Sequence, residues 1–143
     1  MRAILDRLFG FAEEINGGNR CPTYLFRWTL WKDAHKRGVY LHHFVGDDWS
    51  LDLHDHPKRF ITIGLWGRYT EFTPGQMKEW RAPWIRSFPA DHIHRIEARN
   101  CWTLVIVLKP EREWGFWHDG AFTPWRDYVH AKGGLADKMK ACK

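Results

Sequence analysis

Between Pro22 and Trp117 the chain is cut into short alternating runs by regular Gly, Pro, Asn and Asp turn signals, and this punctuation constrains the fold most. Tyr24, Phe26, Trp28 and Leu30 alternate with Leu25, Arg27, Thr29 and Trp31, the period-two pattern of a strand with two unlike faces. Further runs are predicted at 39–45, 61–65, 69–72, 77–80, 84–88, 93–98, 102–108 and 115–117, with a hairpin about Thr73-Pro74-Gly75-Gln76. Roughly nine strands at spacings of about 8–12 residues predict an antiparallel sandwich or barrel rather than βαβ units. Only the ends depart. Ile4, Leu8, Phe11 and Ile15 mark one face of a helix over 2–15, closed by Asn16-Gly17-Gly18-Asn19 and expected to cap the barrel or pack on a partner subunit. Tyr128 to Lys132 reads as a short helix, Gly133-Gly134 interrupts it, and 135–143 reads as a basic, partly frayed end. The expectation is one domain over 1–143: an N-terminal helix at 1–16, a β-barrel at 22–118 and a tail at 125–143.

Ten Trp, nine Phe and four Tyr require a core, an interface or a pocket lining to absorb them. The net charge of +5 suits an acidic partner, but the charges form no block, so a nucleic-acid groove is not indicated. Cys21, Cys101 and Cys142 are odd in number and widely spaced, which argues against a disulfide framework and for a reducing compartment. No apolar run approaches about 18 residues, and charges stand too early at the start for a signal peptide. A cytoplasmic protein that does not engage a membrane is expected.

The chemistry is concentrated in histidines. His54 and His56 stand at i and i+2 beside a predicted strand, where both side chains share a face about 6.6 Å apart. Two imidazoles so placed can converge on one metal ion, and the Pro89–His94 stretch offers a third. Nine histidines in this length would give about 0.5 His-x-His pairs by chance, so the presence of two, His54/His56 and His92/His94, carries more weight than one. The competing account is that these are loop histidines paired with Asp52, Asp55 or Asp91.

The segment 52–67 resembles the first motif of the cupin superfamily, His-x-His, three or four residues, Glu, six residues, Gly. His54, His56 and Gly67 match, and Phe60 occupies the place of the Glu. The segment 83–98 is similar to the second motif, with Pro89 and His94 matching, Asp91 replacing a Gly, Pro83 the leading Gly and Ala98 the closing Asn. More closely, His54–Pro57, His94–Glu97, Cys101–Leu104 and Arg112–Phe116 resemble a group of small cupins carried by bacteria and phages. The resemblance implies an all-β double-stranded β-helix, an RmlC-like jelly-roll barrel with an N-terminal helix. It also implies one divalent transition metal held by His54, His56 and His94.

With Phe60 supplying no carboxylate, the implied donor set is three neutral imidazoles, similar to the iron site of thiol dioxygenases. Fe(II) is the favoured metal; Zn, Ni, Mn or Cu also suit imidazole. The leading expectation is a mononuclear non-haem iron dioxygenase acting on a small polar or anionic substrate. The alternatives are a non-catalytic cupin that binds a sugar or nucleotide, and a metal-free sugar isomerase or epimerase with His54 or His94 as base and Tyr69 nearby. Arg27, Arg59, Arg86 and Arg95 are the cationic candidates for an anionic group. Arg59 and Arg86, with His92 and His42, form the expected substrate-binding set. Asp55 or Glu97 is expected to orient a ligating imidazole. A homodimer is expected, burying the N-terminal helix and the early aromatic strand.

Overall fold

The computed structural model describes residues 1–16, 21–130 and 135–140. Helix α1 (Arg2–Phe9) is shorter than the periodicity predicts: it stops at Gly10, whose φ of 83° takes the chain out of the helix. The residues expected in its last turns instead form β1 (Glu13–Ile15), which pairs antiparallel with β2 (Leu25–Lys32), Glu13 opposite Arg27 and Ile15 opposite Leu25. The reason is energetic. A short helix gains little on its own, and the stripe meant to anchor it stays in solvent, with Ile4 63% and Leu8 67% exposed. Strand pairing therefore takes the residues beyond Gly10.

Strand β3 (Gly38–Phe44) follows, then β4 (Leu53–His54), β5 (Lys58–Trp66), β6 (Arg68–Thr73), β7 (Gln76–Arg81), β8 (Trp84–Phe88), β9 (Arg95–Ala98) and β10 (Cys101–Pro110). A six-stranded antiparallel sheet runs β1-β2-β3-β10-β5-β8. Two three-stranded sheets complete the architecture. One is β7-β6-β9; the other joins β4 to β11 (Gly115–His118) and β12 (Ala121–Pro124) in the order β12-β11-β4. These two meet at a single bridge between His54 and His94, whose backbones exchange both hydrogen bonds at 2.8 and 2.9 Å. Strands β1, β4 and β12 were not predicted. Each is short, and none shows the alternation on which strand prediction depends.

Turns fall where their chemistry requires. Pro74 and Gly75 form the two-residue link between β6 and β7, with Gly75 at φ 72°. Gly67 turns β5 into β6 at φ 83°, and a Cβ there would strike the Asn100 carbonyl. Its side-chain-free backbone lets β10 start directly against it.

Aromatic mass is divided between two cores. Leu25, Phe44, Tyr69, Trp84, Ala98 and Cys101 form one within the barrel. Phe116, Tyr128 and Ala136 form the other, with Trp49, Trp114 and Trp125 packed around them. Trp66 belongs to neither core: it is 59% exposed, because the residue faces outward next to the Gly67 turn. The tail is more ordered than expected. Helix α2 (Trp125–His130) begins three residues before the predicted start, and α3 (Leu135–Lys138) lies in the stretch read as frayed. Lys140 bridges to Ser50, and Tyr128 donates to Asp52 at 2.6 Å, which docks this end of the chain. The expected positions 131–134 and 141–143 lie outside the described residues.

Cys21 is disulfide-bonded, which corrects the expectation of unpaired cysteines and removes the argument for a reducing compartment that rested on it. Cys101 is free and buried, its thiol pushed up to about 12 by burial. Among the described residues no helix is long and apolar enough to cross a membrane.

Candidate metal centre

The bridge that joins the two small sheets also assembles the site. His54 ends β4, His56 lies two residues on, and His94 sits directly across the bridge, just before β9. One ring nitrogen from each lies within 4.8 Å of the others. His56 Nε2 and His94 Nε2 are 3.2 Å apart. Two nitrogens each about 2.0–2.1 Å from a shared ion lie about 2.9–3.4 Å apart for ligand angles between octahedral and tetrahedral. The pair therefore has the spacing of two ligands to one ion.

Protonation favours the same reading. Burial lowers the His54 pKa to about 4; the neighbouring Asp48 carboxylate, 3.7 Å from its Nδ1, opposes this, and His94 adds to it. His56 is held well below the usual histidine range by burial and by the adjacent His94 and His54. Both rings are thus neutral near pH 7 and keep a lone pair. Nδ1 of His56 is buried without a hydrogen-bond partner, and the Phe60 ring packs on the same imidazole at 4.6 Å between centroids. Phe60 in turn stacks on Phe88 at 4.7 Å, so an apolar wall fills the place where the family motif has a carboxylate.

Glu71 on β6 is the residue the sequence reading missed. Its Oε1 accepts from His94 Nδ1 at 2.7 Å and from His92 Nε2 at 2.9 Å. Its Oε2 takes Arg86 Nη2 at 2.8 Å and Trp80 Nε1 at 3.2 Å. Burial would raise its pKa, but the bonds from His92, His94 and Arg86 outweigh burial and hold the carboxyl well below the usual range. An ionised carboxylate only accepts, so the His94 proton is on Nδ1 and its Nε2 lone pair is directed at His56. This is the carboxylate–histidine arrangement that orients a metal-binding imidazole. Glu71, His92 and His94 also cluster closely enough to hold an ion. With Arg86 on the same carboxylate and all four donors satisfied, that cluster is better described as a support for His94 than as a second centre.

The other expected residues fall in several places. His42 on β3 is 8% exposed and lines the cavity beside the three imidazoles. His92 stands next to His94 on Glu71 rather than in the cavity wall. Arg86 lies behind the site, stacked over Trp80 and Phe88, 3.7 and 4.3 Å from their centroids. Arg59 departs from the expectation: its side chain is 61% exposed and reaches Glu111 at 3.4 Å, because Lys58 rather than Arg59 takes the inward position on β5. Asp55 and Glu97 do not orient a histidine. Asp55 is 1% exposed and holds Gly115 N, Trp117 Nε1 and Arg112, tying the β4–β5 turn to β11. Glu97 pairs with Arg95.

The imidazoles open into a cavity of about 530 Å³ inside the barrel. Its wall is largely apolar, with Phe44, Phe88, Ile96 and Val105 among its members. Such a space has the size and character of a small-molecule site.

No protein-family model and no curated protein matches the chain. Among solved structures it is similar to a predicted oxalate decarboxylase from Thermotoga maritima, with a TM-score of 0.54 at 16% identity, over 68% of this chain and 91% of that one. It is similar to KdgF from a Halomonas species with a TM-score of 0.50 at 13% identity, over 62% and 82%. An RmlC-like cupin from Shewanella frigidimarina aligns at 21% identity and a TM-score of 0.49, over 71% and 85%. At such identities the likeness bears on architecture alone. With its antiparallel sheets around a central cavity, and its likeness to such structures, this chain has the all-β double-stranded β-helix fold of the cupins.

Proposed function

We propose that the chain is a mononuclear metal-dependent cupin enzyme, with His54, His56 and His94 as ligands, and that it acts as a non-haem iron dioxygenase on a small polar or anionic substrate. The observation that carries this is the meeting of three imidazoles at a cavity wall, two of them held neutral by burial and the third oriented by its Glu71 bond. Fe(II) held by His54, His56 and His94 would supply the oxygen chemistry of such a reaction. The chain's own residues do the rest. Glu71 keeps the His94 proton on Nδ1, Phe60 and Phe88 exclude water behind His56, and the cavity sets the size of what enters. The metal-free isomerase reading is less well supported, since three crowded rings with free lone pairs suit a cation better than a single base. Elemental analysis of purified protein, with O₂ uptake measured against a panel of small acids and thiols, tests the proposal. One transition metal per chain, lost in H56A/H94A, and iron-dependent O₂ uptake are expected. No metal above the level of the double variant would refute it.

The same proposal includes a homodimer. Ile4, Leu8 and Phe11 remain exposed along α1 and beyond it, and a second copy is the partner that fits them. Sedimentation of the wild type and of I4E/L8E tests this, with dimer and monomer as the expected masses.

A further inference from the structure

Inside the cavity, on the six-stranded sheet, three polar residues stand in a row where the remaining wall is mostly apolar. Arg27 on β2 is in register with His42 on β3, and His42 with Thr103 on β10, and all three line the cavity. Arg27 Nε donates to His42 Nε2 at 3.1 Å. That bond requires the lone pair on Nε2, so the His42 proton is on Nδ1, for which no partner exists among the described residues. Burial and the Arg27 charge keep the ring neutral. Among the described residues the terminal nitrogens of Arg27 reach one carboxylate, Glu13, at 3.6 Å and 65% exposed, and the guanidinium lies 5.4 Å from the centre of the Tyr40 ring. Thr103 is 1% exposed and its Oγ1 has no hydrogen-bond partner. A buried hydroxyl left unmatched is unfavourable, so its place in a cavity wall calls for a ligand to complete it.

We propose that Arg27, His42 and Thr103 form a carboxylate-binding subsite, and that the substrate is a small carboxylic acid with an apolar body. A planar guanidinium edge, a ring N–H and a hydroxyl O–H offer three donors, which suits a carboxylate that takes the place of the exposed Glu13 on Arg27. Lys58 also lines the cavity, its ammonium donating to the Lys36 carbonyl, and its charge adds to that of Arg27 in favouring an anion on this side of the wall. Phe44, Val105 and Phe60 provide the apolar wall for the remainder of the molecule. This deepens the proposed function by naming the substrate class, and it rests on reading the cavity as a substrate pocket.

The test uses calorimetric titration of chelator-treated protein with benzoate, benzamide and inorganic phosphate. Benzoate is expected to bind at least tenfold more tightly than benzamide. T103V, which keeps the shape and removes the hydroxyl, and R27Q are each expected to weaken benzoate at least tenfold. T103V is expected to melt no lower than wild type, and R27K serves if R27Q does not fold, retaining charge but losing the fork. Equal binding of benzoate and benzamide, indifference to both substitutions, or tighter binding of phosphate would overturn the subsite. The titration is metal-free, so failure of the metal proposal leaves it intact. Conversely, one metal per chain without a preference for benzoate would sink the subsite alone.

Discussion

Replacing Glu71 with Gln preserves shape and removes one charge, so it separates the two roles assigned to this carboxylate. Glu71 is 3% exposed and accepts from His94, His92, Arg86 and Trp80. A glutamine keeps one acceptor oxygen, but its amide must point a donor at either the histidines or Arg86. The heavier cost falls on Arg86, a guanidinium only 16% exposed that would lose its counter-charge. Breaking a buried pair in this way costs about 3–5 kcal/mol. Arg86 retains Tyr69 Oη at 3.1 Å and stacks on two rings, which places the loss at the lower end, about 3 kcal/mol. At the 2–4 °C per kcal/mol usual for chains near this size, the metal-free protein should melt about 10 °C lower.

The second role is orienting His94, and losing such a carboxylate partner typically costs about 10–100-fold in metal affinity. The two roles separate in the double variant E71Q/R86M. Removing the unpaired cation should restore about half or more of the lost stability while leaving metal affinity weak. Urea unfolding of metal-free protein and competitive Co(II) titration read the two quantities independently. If E71Q keeps wild-type Co(II) affinity, or loses less than about 1 kcal/mol of stability, the assignment of Glu71 fails.

Three further perturbations follow from the same geometry. His54 has a folded pKa of about 4 against an unfolded value near 6.5, so the unfolded chain binds more protons in that window. Metal-free stability should therefore be complete above about pH 6.5 and decline as pH falls toward 4, and the decline should be smaller in H54F, as urea midpoints measured at several pH values will show. F60E sets a carboxylate at the motif's vacant place: the metal-free protein should melt lower, since a charge is buried against Phe88, while Mn(II) should bind more tightly and restore the melting point. G67A should destabilise by more than about 1 kcal/mol in urea unfolding, because φ 83° and the Asn100 carbonyl both oppose a Cβ; a neutral effect would mean that the β5–β6 turn relaxes freely.

Much of the fold was legible because it depends on local signals. Alternation placed β2, β3, β5, β6, β7, β8 and β10, and Pro74-Gly75 located the hairpin within a residue. The errors lie where a non-local term competes. The apolar stripe from Ile4 to Ile15 is genuine, yet pairing of Glu13–Ile15 with β2 overrides its last part. Strand β12 owes its existence to β11 rather than to its own composition. The Cys21 disulfide was illegible from spacing, because pairing depends on positions brought together only by folding.

The clustering of the three imidazoles was legible and the residues that support them were not, and the difference has a physical cause. His54 and His56 share a face through strand period alone, and the motif resemblance supplied His94. Glu71 lies 23 residues from His94 and 15 from Arg86, on a strand with no motif, and its importance comes from what the β6–β9 pairing sets beside it. Arg27, His42 and Thr103 meet likewise through ladder register across three strands. In a closed antiparallel barrel, neighbours across the ladder are distant in sequence, so the residues that tune a site leave a weaker trace than those that name it. A signal was nevertheless present. Glu71 is an acid at an inward position of an alternating strand, flanked by Tyr69 and Thr73 on the same face. An inward carboxylate is rarely left without a partner, and in a chain this rich in histidine that partner was the thing to look for.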